Sequence, residues 1–163
     1  MRQILKVVVI GTAGFGFALT SPQVGRSQTI APSVARHSTS TQSHRVIIQV
    51  TQNDQAIMNL ALNNAENLVN FYKDKGEKIQ IELVTYGAGL NMVREDTSPV
   101  KERLAAMSRS MKNVTITGCG NTLANQSKQE NKAISLVPDA HIVPAGIARV
   151  VELEEQGWTY VRP

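Results

Sequence analysis

"RVIIQVTQNDQAIMNLALNNAENLVNFYKDKGEKIQIELVTYG", residues 45–87, decides the fold. Its opening, RVIIQVT (45–51), is a nearly continuous β-branched run and reads as a strand buried on both faces. Asn53 or Asp54 can then cap a helix. Ile57, Leu60, Ala61, Leu68 and Phe71 recur at helical spacing and predict its inward stripe, and Gly76 ends it. KIQIELVTYG (78–87) is a second strand, with Ile79, Ile81 and Leu83 alternating before Val84 and Tyr86. Strand, helix and strand in succession form the unit from which parallel sheets are made.

The pattern continues toward the C-terminus. AGLNMVREDTSP (88–99) reads as a turn-rich connection, with Ser98 as a helix cap and Pro99 in the first turn. Val100, Leu104, Met107 and Met111 are the apolar stripe of that helix. NVTITG (113–118) is a third strand, and CGNTLANQSKQENK (119–132) a short polar helix. AHIVPAG (140–146) is a fourth strand, AGIARVVELEEQG (145–157) a helix with Ile147, Val150 and Val151 inward, and WTYVRP (158–163) a short final strand. This alternation predicts an α/β fold: a single-domain three-layer α/β/α sandwich with a mostly parallel five-stranded sheet and flavodoxin-like winding.

Toward the N-terminus the composition changes. Arg2 and Lys6 precede an apolar run from Val7 to Leu19. That run is short for a bilayer span of about 20 residues. Residues 1–28 therefore read as a signal peptide, with an uncleaved N-terminal anchor as the alternative. The implied location is periplasmic or secreted, with no stable membrane span in the mature form. Residues 29–43 are rich in Ser, Thr and Gln and read as a flexible linker to a domain spanning 44–163. Four of the 17 basic residues lie in 1–43 and none of the acids, so 13 basic residues face 13 acidic ones in 44–163. A neutral body carries no nucleic-acid footprint.

The chemistry narrows to TITGCGNTL (115–123), which holds the one cysteine of the chain, Cys119. A lone cysteine makes no internal disulfide; it is either a packed small hydrophobe or a free thiol with an outside partner. Cys119 falls at the end of the third strand and the start of the next helix. Ligands gather beyond the carboxyl ends of such strands, and a helix N-terminus favours a thiolate. Gly118 and Gly120 leave room for close approach, while Asn121 and Thr122 offer polar groups. Gly87 and Gly89, after the second strand, sit beside the same edge. The glycines do not make a dinucleotide fingerprint, which would follow the first strand. The histidines, His37, His44 and His141, are scattered, and no cluster has metal-ligand spacing. The acids of EDT (95–97) and ELEE (152–155) read as solvated loop and helix faces.

Taken together, ITGCGNTL and VPAGIARVVELEEQGWTYVRP resemble the DsrE/DsrF-like family of small α/β proteins related to sulfur relay, over residues 44–163. The resemblance implies a DsrE-like domain in which Cys119 carries a sulfane sulfur as a persulfide. It implies a homo-oligomer, trimer or hexamer, and sulfur donor and acceptor proteins as partners. It implies no cofactor and no metal. The family's relay proteins work in the cytoplasm, and the apparent export signal departs from that. Two other readings stay open: a non-catalytic ligand-binding or assembly protein with a buried Cys119, and a redox sensor using an intermolecular disulfide.

Overall fold

The structure, a computed structural model, describes residues 42–163. The expected signal peptide and nearly all of the expected linker lie outside the described residues. Five strands are present: β1 (Ser43–Val50), β2 (Lys78–Thr85), β3 (Val114–Cys119), β4 (Ala140–Val143) and β5 (Thr159–Val161). Between them run α1 (Gln55–Asp74), a 3-10 segment (Gly87–Val93), α2 (Lys101–Ser110), α3 (Gly120–Gln129) and α4 (Gly146–Glu155). Every ladder in the sheet is parallel, so the expected three-layer α/β sandwich is the observed one.

The strand order is β4-β3-β2-β1-β5, not the 2-1-3-4-5 of flavodoxin. Three successive crossovers step one way, and the last returns over the whole sheet. Right-handed crossovers then place α1, α2 and α3 on one face and, among the described residues, α4 alone on the other. The packing agrees. Met58, Leu62, Leu104 and Met107 meet Val46, Ile48, Ile81 and Leu83 in one cluster. Val150 and Leu153 meet Ile47 and Val84 in another. Winding reverses between β3 and β4, the neighbours whose following helices lie on opposite faces.

Local signals place the elements. The Asp54 carboxylate accepts from the amides of Ala56 and Ile57 at 2.7 and 3.1 Å and caps α1. Gly76, at φ +69°, ends it. The N–H of Gly76 donates to Lys73 O, and that of Glu77 to Tyr72 O, the paired bonds of a Schellman stop. Gly157, at φ +81°, closes α4 through the same two bonds.

Four expectations are corrected. The sheet-facing side of α1 is Met58, Ala61, Leu62 and Ala65, while Leu60 and Phe71 are exposed. In α4 the buried side is Val150 and Leu153; Ile147 and Val151 are exposed. Each helix carries a second apolar row, and sheet position alone selects which row turns inward. The third concerns residues 87–93, which coil tightly and bury Leu90, Met92 and Val93 completely. A connection read as a turn is part of the core. Helix α2 also starts later than Ser98 suggests, with Val100 as a cap that lacks a side-chain bond.

Candidate functional site

Cys119 is the last residue of β3 and the N-cap of α3, as its flanking residues predict. It pairs in register with Val143 of β4, so it stands at the carboxyl edge between the two strands where winding reverses. Two helix N-termini converge there. The Thr122 amide, in the first turn of α3, donates to the Cys119 sulfur at 3.4 Å. The Gly146 amide, the first of α4, also favours its thiolate. Burial pushes the thiol up, yet the bonds from the Thr122 hydroxyl and from the Gly146 and Thr122 amides outweigh it and hold the thiol below its ordinary value. Only 5% of Cys119 is exposed.

The remaining expected residues divide. Thr122 meets both the sulfur and Gly87. The Gly87 N–H donates to the Thr122 Oγ1 at 3.1 Å, and the Gly87 carbonyl accepts from Gln126 Nε2 at 3.3 Å. Gly87 sits at φ +57°, where a side chain is strained. With its oxygen accepting from Gly87, the Thr122 hydroxyl proton is free to face the sulfur.

Gly118, Gly120 and Gly89 serve packing instead of open approach. A Cβ on Gly118 would lie 2.6 Å from Leu136 Cδ1, and one on Gly120 3.2 Å from Ile142 Cγ2. At Gly89 it would lie 2.3 Å from Val50 O, against the end of β1. The space that these glycines leave is filled by the protein itself. Asn121 is exposed and its N–H donates to Pro144 O at 3.1 Å. That bond ties α3 to the β4–α4 connection and leaves the amide little to give the sulfur.

The sequence did not announce several neighbours. Tyr86, just past β2, packs under α4: a Cβ on Gly146 would lie 2.8 Å from Tyr86 Cβ. Its hydroxyl accepts from Gln49, whose side-chain oxygen accepts from Tyr160. Burial pushes the Tyr86 phenol up, the Gln49 bond opposes this, and the nearby Tyr160 and Cys119 add to the rise. Deeper on the α4 face, the buried Glu82 takes both bonds of the Arg149 fork, at 2.9 and 2.8 Å. On the other side Arg94, 5% exposed, reaches Asp96 and Glu130 and pins the far end of α3. Asp96 is thus an ion-pair partner, not a free loop acid. Only the glycine of PAG (144–146) and the lone tyrosine after β2 could have hinted at this shell. Neither carries a spacing rule.

A cleft of about 870 Å³ lies at the opposite, amino-terminal edge of the sheet, lined by Lys73, Lys78, Lys112 and Glu77 among others. It shares no residue with the Cys119 site. Among the described residues, no group of three or more His, Cys, Asp or Glu could hold a metal ion. Among the same residues, no helix is long and apolar enough to cross a membrane.

No protein-family model matches the chain, and no curated protein matches it. Among solved structures, a protein of unknown function from Methanobacterium thermoautotrophicum is similar, with a TM-score of 0.62 and 26% identity over 74% of this chain and 99% of that one. The likeness supports the α/β architecture.

Proposed function

We propose that the protein is an exported, DsrE-like persulfide carrier or sulfurtransferase-like protein that works through Cys119. The observation that carries this reading is the convergence of the α3 and α4 N-termini on a lone cysteine at the winding reversal. Helix N-termini stabilise negative charge, so the arrangement favours the thiolate, the nucleophilic form. The thiolate attacks the outer sulfur of a sulfane donor. An S–S bond forms to Cys119 and the donor's S–S bond breaks, its electron pair leaving with the remainder of the donor. An acceptor thiolate then attacks the outer sulfur and releases the Cys119 thiolate. With no second cysteine in the chain, no internal thiol diverts the sulfur into a disulfide. Homo-oligomer assembly belongs to this reading, and the exposed Leu60, Phe71, Ile142, Ile147, Val151 and Tyr160 are among the apolar side chains available to it.

The burial of Cys119 favours a second reading, an assembly or ligand-binding protein whose cysteine is packed and inert. Incubating the full chain with inorganic polysulfide and weighing it intact separates the two. A sulfur adduct on the wild type, absent from folded Cys119→Ser, is the expected result. No adduct on the wild type, or an equal adduct on Cys119→Ser, defeats the carrier reading.

A further inference from the structure

We propose that the cleft at the amino-terminal edge of the sheet is a second binding site, separate from Cys119, for a small amphipathic organic anion: an apolar body with a negatively charged head.

The cleft opens where α1 and α2 end and β1 and β2 begin, and it encloses about 870 Å³. That volume lies in the range of small-molecule sites. Its apolar wall is Val69 from the end of α1, Ile79 from β2 and Met111 from the α2–β3 connection. Ile79 belongs to the larger core cluster, and Val69 and Met111 pack against it half-buried. The wall is thus held by the fold and needs no ligand to form.

Three ammonium groups line the same cleft, those of Lys73, Lys78 and Lys112, with one carboxylate, Glu77. Charges balance over 44–163, so this is a local excess. The carboxylate is already engaged, because Glu77 Oε2 meets His44 Nε2 at 2.7 Å. Lys112 Nζ donates to Ser108 O at 2.8 Å, at the end of α2. Among the described residues the lysines held in ion pairs are Lys101 and Lys132, so Lys73 and Lys78 keep their charge for a ligand. Two helices end here, and each carries about half a negative charge at its C-terminus. Together those ends do not cancel three lysines beside one partnered acid. The two kinds of lining select together. An inorganic anion leaves the apolar wall wet, and a neutral hydrocarbon leaves the ammonium groups without a partner. An ammonium group is a point charge that imposes no planar match, so the site reads charge and apolar bulk more than the shape of the head.

The test is a fluorescence titration of the full chain with 8-anilinonaphthalene-1-sulfonate, an amphipathic anion, followed by displacement. Saturable one-site binding is expected, reversed by decanoate and not by decanol. The double variant Lys73→Gln/Lys78→Gln is expected to bind about five- to tenfold more weakly. Both lysines are exposed, so folding is not at stake. Phe71→Ser is the control for an apolar groove between α1 and β5 whose lining is uncharged, and it should bind as the wild type does. No saturable binding to the wild type, unchanged affinity in the double variant, or equal displacement by decanol overturns the proposal. So does a loss of binding in Phe71→Ser. Cys119→Ser is expected to bind the probe unchanged; a loss there places the probe at the thiol and also overturns the site. Sulfur loading is read separately, so this site and the carrier reading stand or fall independently.

Discussion

On one face of the sheet, α1, α2, α3 and the 3-10 segment close over Val46, Ile48, Ile81, Leu83 and Ile116. On the other, α4 alone covers Ile47 and Val84. The first face satisfies itself with apolar contact and, at its rim, with the Arg94 network. The second keeps a buried carboxylate, a polar chain through Gln49 and two tyrosines, and a Trp158 Nε1 with no hydrogen-bond partner among the described residues. Cys119 sits where the two faces meet, and it draws one helix N-terminus from each. The division teaches that stability and reactivity are set in different places: the apolar core of the three-helix face holds most of the fold, and the thiol is tuned at the rim, by the starts of α3 and α4 together.

The strongest way to break that division is a cavity on each side. Leu83→Ala, in a fully buried site on the three-helix face, is expected to cost about 3 kcal/mol in denaturant melts. It should leave the Cys119 ionisation nearly unchanged. Val150→Ala, under α4, is expected to cost about 1–2 kcal/mol and to raise the thiol. Should the ionisation respond more to Leu83→Ala than to Val150→Ala, the two layers are not separable.

Backbone contact sharpens the same comparison. Gly89→Ala forces a Cβ toward the rigid Val50 carbonyl, and a loss of about 2–3 kcal/mol is expected. At Gly118 the obstructing atom is the end of the Leu136 side chain, which can turn aside. Gly118→Ala should therefore cost less. Equal melts for the two would mean that the close approach of the 3-10 segment to β1 is not what anchors it.

Acid acts on the three-helix face through Arg94. Its hydrogen bonds hold the Glu130 carboxyl down at about 2 and Asp96 lower still, with Lys132 adding to both. Both folded-state values lie below those of the unfolded chain. Their contribution is thus complete above the ordinary carboxylate range and is lost as pH falls toward 2. Melting temperature should drop across that window by a few degrees, and Arg94→Gln should flatten the drop. A wild-type melt as flat as that of Arg94→Gln would remove the network from the stability of α3.

The smallest expected effect is the most local. Thr122→Val deletes the hydroxyl that Gly87 orients and keeps the side-chain shape. The melt should hardly move. The Cys119 thiol should rise by a fraction of a unit, slowing alkylation at neutral pH by about two- to fivefold. Unchanged alkylation would show that the two amides suffice without the hydroxyl.

How much of this could be read from residues in order differs from element to element. Alternation of β-branched runs with capped helices predicted every strand and α-helix of the described residues, because caps, Schellman glycines and strand periodicity are local. The place of Cys119 between β3 and α3 was legible for the same reason. Which of two apolar rows in α1 or α4 faces inward was not, since Leu60, Phe71, Ile147 and Val151 are as apolar as the residues that won. Nor was the true role of Gly118 and Gly120 legible, because the atoms that fill their space come from Leu136 and Ile142, brought in from other segments.

By itself the sequence determined the α/β class, the element order and a lone cysteine at a helix start. Each follows from interactions between residues a turn or a pleat apart. Tertiary structure alone decided that winding reverses between β3 and β4, that Gly146 and Tyr86 come near Cys119, and that Glu82 meets Arg149 deeper on the α4 face. Those are contacts between residues far apart in the chain, and burial and register bring them together in ways that no local periodicity records.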